Sequence, residues 1–265
     1  MLPFPMNKHL IANYDLLLNK AIPNKWDAFM INFGGEGTGK STKSFQDAIK
    51  LDPDFNLKKV VFTPVQFDTG IEKAKPEAAI VWDESVTGAM SSAWSQIVTI
   101  KIIQKLTQIR KKKLKIIINI PYLHVLHRYF VARAICSSYI YAKGFDDRGY
   151  YKFYTRLRTE NLYYYMKDVH KNNYRKAFAN VAPLFPGRFN DYIPFDFDEY
   201  DAKKEAARLD QDGAVDKYRT YFTKTVNFIK ENSTFKSPVS IGKLGKYLGI
   251  STTQLYKYVS ELTNN

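Results

Sequence analysis

Eight consecutive residues, Gly34-Gly35-Glu36-Gly37-Thr38-Gly39-Lys40-Ser41, carry the residue types that hold a polyphosphate. Glycines let the backbone turn its N–H groups inward around a phosphate, with conformations and close approaches that a Cβ would block. A helix beginning near Lys40 adds its positive end. Lys40 then spans the β- and γ-phosphates, the Ser41 hydroxyl coordinates magnesium, and Thr42 sits beside it in the first helical turn. The full pattern, Gly-x4-Gly-Lys-Ser, arises by chance in about one chain of this length per hundred. The chemistry implied is binding of ATP with Mg2+.

A second cluster follows an aliphatic run. Ala79-Ile80-Val81-Trp82 delivers Asp83 and Glu84. Asp83 is placed to hold magnesium through its water shell, and Glu84 to polarise a water attacking the γ-phosphate. The bland reading of Glu84 is an exposed acid at a strand end. Trp82 departs from the usual small aliphatic residue and is expected to pack under the sheet. Ile116-Ile117-Ile118-Asn119 places one polar residue where open α/β sheets bind ligands. Asn119 either senses the γ-phosphate or caps the turn before Pro121.

The elements that must position these residues are legible from periodicity. Ala28 to Phe33 reads as a buried strand, Ser41 to Leu51 as a helix, and Lys59 to Thr63 and Ala78 to Trp82 as strands with a short helix between them. Ser91 opens an amphipathic helix running to Ile109, and Leu114 to Ile120 is a fourth strand. Near-continuous apolar strands alternating with helices indicate a mostly parallel sheet covered on both faces. Three tyrosine-rich runs, at 139–141, 150–154 and 162–165, read as an antiparallel extension, with turns at 144–149 and 158–161. Pro183 to Pro194 reads as a connector and Tyr200 to Leu209 as a charged helix.

The expected domains are 1–198, a helical linker 199–213, and a small all-α module 214–265. In that module, Ser240 to Leu248 and Ser251 to Leu262 are helices separated by Gly249-Ile250, and Ser251 with Gln254 forms a capping box. This is a helix-turn-helix pattern, which would turn Thr252, Thr253, Gln254 and Lys257 outward to read bases. From Ala214 onward there are eight Lys/Arg against three Asp/Glu, so the module itself is basic. Protein-binding helical bundles share the pattern.

The 265 residues suffice for one α/β core and a small second module. The formal net charge of +14 points to a polyanionic partner, DNA or RNA first. The single cysteine, Cys136, excludes a disulfide framework and a cysteine-rich zinc site. No apolar run approaches a membrane span and no leader pattern is present, so a soluble, cytoplasmic protein is expected. Arg110-Lys111-Lys112-Lys113 is the densest charge run. It either stabilises a helix end or contacts DNA backbone. The tyrosine-rich stretch fits sheet packing better than base stacking. His124 and His127, three apart on an expected helix, lack the companions a metal site needs.

The order of glycine-rich loop, Asp83-Glu84 and Asn119 resembles the additional-strand, catalytic-glutamate ATPases, whose fold is RecA-like. Within that group, the stretch Lys113 to Arg133 resembles small DNA-translocating ATPases of the FtsK/HerA kind, including zonular-occludens-toxin-like and viral genome-packaging ATPases. The specific motifs cover residues 28 to 135. The resemblance implies a homo-oligomeric ring, pentameric or hexameric, in which a neighbour's arginine completes each site. Arg128 and Arg133 are the candidates, with Arg110 a weaker third. It also implies ATP-driven movement or packaging of double-stranded DNA, with a viral portal or capsid protein as a further partner. The rivals are an AAA+-type initiator or helicase loader and, less favoured, a small-molecule phosphotransferase.

Overall fold

The computed structural model describes residues 2–83, 109–170, 173–210, 251 and 253. Two compact units divide the chain, Met1–Ala207 and Arg208–Asn265. The division falls within the stretch 199–213 expected as a linker. The expected helix-turn-helix lies outside the described residues, apart from the exposed Ser251 and Thr253. Most of the amphipathic helix expected from Ser91 to Ile109 also lies outside them.

Among the described residues, seven strands form one sheet: β1 (Ala28–Phe33), β2 (Val60–Val61), β3 (Ala79–Trp82), β4 (Lys115–Ile120), β5 (Cys136–Tyr141), β6 (Tyr150–Thr155) and β7 (Phe185–Arg188). Their spatial order is β2-β3-β4-β1-β5-β6-β7. The first five are mutually parallel, while β5–β6 and β6–β7 are antiparallel. Strand β4 thus lies between β1, which leads into the glycine-rich loop, and β3, which leads to Asp83. This is the inserted strand for which the additional-strand ATPases are named, and the architecture is a RecA-like α/β fold.

Strands β1 to β4 are largely apolar because both faces are covered. Phe29, Ile31, Phe33, Ile80, Trp82, Ile116, Ile118 and Ile120 point into one core. Ala28, Met30, Ala79, Val81 and Ile117 point into the other. The alternation is the period of two that a pleated strand imposes. Helix α1 (Lys8–Leu16) and helix α2 (Lys40–Leu51) cover the second face through Leu10, Tyr14, Phe45, Ala48 and Leu51. Helix α3 (Pro64–Lys73) connects β2 to β3, with Thr63 as N-cap and proline in its first turn.

Two expectations in the antiparallel region are corrected. Residues 162–165 are not a strand: helix α5 (Arg156–Tyr164) follows β6 directly, with one further π turn, Tyr165–Val169. Its buried positions Thr159, Leu162, Tyr163 and Met166 recur at helical spacing, which outweighs the β preference of the tyrosines. The charges at 158–161, expected to turn the chain, lie within this helix. The third antiparallel strand is β7, inside the expected connector. Its Pro186 is tolerated because β7 is an edge strand, and Gly187 lies against the Tyr151 ring where a Cβ would fall 2.3 Å from it. Nor do the two histidines share a helix. His124 lies in a one-turn 3-10 segment, and His127 caps helix α4 (Arg128–Arg133). Helix α6 (Tyr174–Asn180) precedes β7.

Candidate nucleotide site

The glycine-rich loop leaves the C-terminal end of β1 and turns into α2. Gly37 and Gly39 have φ of 69° and 92°, the left-handed region that glycine enters without strain. Gly39 is the N-cap of α2, so the first free N–H groups of that helix face the loop. Gly34 approaches β5 closely: a Cβ there would lie 2.0 Å from the Ile140 carbonyl oxygen. The Lys40 ammonium reaches back across the loop and donates to the carbonyls of Gly34 at 2.9 Å and Gly35 at 2.7 Å. Thr38 Oγ1 donates to the Gly35 carbonyl. Gly35, Glu36 and Gly37 are exposed, Ser41 and Thr42 half-buried. The loop is a solvent-facing nest with one cation folded across it.

Sheet register aligns the polar groups beneath this loop. Asn32 on β1 pairs with Asn119 on β4, and Ile118 pairs with Trp82, which sets Asn119 level with Asp83. All three extend the row of residues on the face covered by α2. Asn32 Nδ2 donates to Ser44 Oγ at 2.8 Å. Ser44 Oγ donates to Asn119 Oδ1 at 2.5 Å, and Asn119 Nδ2 donates to Asp83 Oδ1 at 2.9 Å. Asp83 is 2% exposed. A buried carboxylate is stable only when hydrogen-bonded, and this chain of donors holds it at the C-terminal edge. Asn119 therefore faces Asp83. Trp82 lies on the opposite face, stacked on Phe67 with centroids 4.4 Å apart, its indole N–H on the Phe62 carbonyl.

Tyr200 completes the cluster. Its hydroxyl donates to Asp83 Oδ2 at 2.5 Å and lies 3.5 Å from Ser41 Oγ. One oxygen thus touches both groups that the sequence assigns to magnesium, so the Ser41 hydroxyl and the Asp83 carboxylate flank a single small space. That donor set, all oxygen, suits a hard divalent cation that keeps several of its waters. Ser41 and Asp83 would hold it. Among the described residues, no group of three His, Cys, Asp or Glu is close enough to hold a metal.

The remaining sequence candidates fall elsewhere. Glu84 lies outside the described residues, as do Thr252, Gln254 and Lys257. Arg128 is exposed at the start of α4. Arg133 is ion-paired with Asp27, which immediately precedes β1. With β1 six residues long, that pair sits about 20 Å from the phosphate loop, at the opposite edge of the sheet. The basic run is at that same edge. Lys112 Nζ donates to the carbonyls of Ile71, Glu72 and Ala74 at the end of α3, and Lys113 pairs with Glu77. Lys115 is buried with its ammonium on the Glu77 carbonyl, and burial lowers its pKa. Arg110 and Lys111 remain exposed.

Sequence reasoning missed Asn32, Ser44 and Tyr200. Asn32 had a signal, a polar residue in an aliphatic strand two positions before the loop. Tyr200 had none: 117 positions separate it from Asp83.

No protein-family model matches the chain, and no curated protein matches it. Among solved structures, the N-terminal domain of zonular occludens toxin from Neisseria meningitidis is similar at 15% identity, with 66% of this chain and 98% of that one covered and a TM-score of 0.40. The genome-packaging NTPase B204 of Sulfolobus turreted icosahedral virus 2, with ATP-gammaS, is similar at 13% identity, covering 49% and 92%, with a TM-score of 0.34. The FIGL-1 AAA domain with ADP is similar at 12% identity, covering 74% and 86%, with a TM-score of 0.38. Independently of these, the strand order, the phosphate loop at the end of β1 and Asp83 at the end of β3 give this chain the fold of a RecA-like P-loop ATPase.

Proposed function

We propose that this protein hydrolyses ATP and couples turnover to moving or packaging double-stranded DNA as a homo-oligomeric ring. The observation carrying the ATPase reading is the buried Ser44–Asn119–Asp83 relay, set level with the phosphate loop on the next-but-one strand. In this reading the loop N–H groups and Lys40 bind the phosphates. Ser41 and Asp83 hold magnesium, which when bound neutralises charge on the β- and γ-phosphate oxygens. Asn119 orients Asp83, and Glu84, next in the chain, activates the water. Water activation favours hydrolysis over transfer to a small-molecule acceptor.

The DNA-motor half of the proposal is supported by charge. A formal +14 and a basic C-terminal segment suit sequence-independent, salt-dependent contact with phosphate backbone. Of the basic run, Arg110 and Lys111 are the side chains available for it, since Lys112 and Lys113 are engaged within the fold. Arg128, exposed on α4, is the better candidate to reach a neighbouring subunit's nucleotide, because Arg133 is bound to Asp27. Thr252, Thr253, Gln254 and Lys257 would add contacts from the second unit, and a portal or capsid protein would be the docking partner if the motor packages a viral genome. Among the described residues no helix is long and apolar enough to cross a membrane. The test is ATP turnover across a titration of long duplex DNA at two salt concentrations. Stimulation by DNA of any sequence, weakening steeply with salt, supports the motor. Slow turnover with tight binding to one sequence would instead support the initiator class.

A further inference from the structure

We infer that Tyr200 is a positioning residue of the magnesium site, supplied by the helical segment 197–210 that leads out of the first compact unit. The inference rests on Ser41 and Asp83 being the magnesium-holding groups. Two independent observations carry it. The first is contact: the Tyr200 hydroxyl donates to Asp83 Oδ2 at 2.5 Å and lies 3.5 Å from Ser41 Oγ. Asn119 takes the other carboxylate oxygen, so two donors from different elements fix the plane of Asp83. The second is that the ring is held as firmly as the hydroxyl. Tyr200 is 3% exposed. Its ring packs edge-on against Phe45 of α2 at 5.4 Å, and against Phe62 at 5.7 Å, Phe195 at 6.2 Å and Phe197 at 5.8 Å.

Phe45 follows Ser41 by one helical turn, so the ring is registered against the helix that carries the phosphate loop. A phenylalanine would fill the same space and keep these ring contacts. What the hydroxyl adds is a donor on the metal-facing carboxylate. Partners that orient a ligating carboxylate typically change metal affinity 10–100-fold when removed. Being clamped by four aromatic rings, the hydroxyl acts as a built-in strut and not as a plug to be displaced by the cation.

The test uses the full chain and a fluorescent ADP analogue, titrating Mg2+ at fixed nucleotide, with wild type, Tyr200→Phe and Phe197→Ala. The inference expects Tyr200→Phe to raise the Mg2+ midpoint about tenfold, with nucleotide affinity in EDTA unchanged. Phe197→Ala strips a ring contact without touching the hydroxyl, and its midpoint should match wild type; thermal melting of both variants tracks folding separately. An unchanged midpoint in Tyr200→Phe overturns the inference. A lowered midpoint also overturns it, because the hydroxyl would then be blocking the cation. If wild-type nucleotide binding shows no Mg2+ dependence at all, the assignment of Ser41 and Asp83 fails first, and the inference falls with it.

Discussion

The side-chain amide of Asn119 donates to Asp83 over 2.9 Å, joining the inserted strand β4 to the end of β3. Because Ser44 of α2 donates to Asn119 in turn, the helix carrying the phosphate loop and the Asp83 carboxylate are connected by two hydrogen bonds. Asn119→Ala breaks both. Turnover should fall about 10–100-fold, and stability by about 1–3 kcal/mol from the buried groups left unpaired. Nucleotide affinity in EDTA should change little, since the loop itself is untouched. Steady-state hydrolysis, nucleotide titration and chemical denaturation check the three parts.

The two arginines on α4 should separate cleanly. Arg133→Ala removes the partner of the half-buried Asp27 and should cost about 1–3 kcal/mol, less than the roughly 3–5 of a fully buried pair, with hydrolysis per folded molecule preserved. Arg128→Ala should leave stability unchanged and depress turnover, since an arginine supplied in trans is worth about 10³–10⁵ in rate. Denaturation midpoints beside turnover numbers for both variants make the comparison. Equal turnover losses in both would contradict the assignment.

Much of this site was legible in the sequence, for identifiable reasons. Glycines and Lys40 are constrained by phosphate geometry over eight residues, and Asp83 follows an aliphatic run that can only be a buried strand. The order of strands placed Asn119 at the ligand edge, but its contact with Asp83 depended on the register of β3 against β4, which no local signal specifies. Tyr200 reads locally as one aromatic in a charged helix, and its role exists only through a tertiary contact. The strand β7 was hidden by Pro186, which is disfavoured inside a sheet and acceptable at its edge. Arg110 to Lys113 looked like one basic surface, yet Lys112 turns in to cap α3 and Lys113 is held in a surface pair with Glu77.

Lys43 and Asp47 form an ion pair one turn apart on α2, with both side chains only 2% exposed. Lys43 also sits 4.6 Å from the Tyr151 ring centroid. Removing one member strands the other charge in the core between α1, α2 and β6. Asp47→Ala should therefore destabilise the protein by about 3–5 kcal/mol, whereas Lys50→Ala, which loses the more exposed pair with Asp15, should cost at most about 1 kcal/mol. Urea midpoints measure both.

Alkali should unfold this protein earlier than its charge suggests. Burial, followed by the nearby Asp47 carboxylate, pushes the Cys136 thiol from 9.0 up to about 12. Burial likewise raises Tyr14, Tyr151 and Tyr154. These groups stay protonated in the folded state and ionise in the unfolded one, so stability is full below pH 9 and falls as pH rises toward 12. At pH 10.5 the thiol alone accounts for up to about 2 kcal/mol. Denaturation midpoints at pH 8 and 10.5 should drop in wild type and drop less in Cys136→Ala.

The central claim is that the loop at 34–41 and the carboxylates at 83 and 84 hydrolyse ATP for work on DNA. Steady-state hydrolysis, with and without long duplex DNA, in wild type, Lys40→Ala and Glu84→Gln tests it most directly. The account predicts Mg2+-dependent turnover that DNA stimulates, with Lys40→Ala losing nucleotide binding and Glu84→Gln binding nucleotide without hydrolysing it. Turnover in Glu84→Gln equal to wild type, or turnover indifferent to DNA, would contradict it.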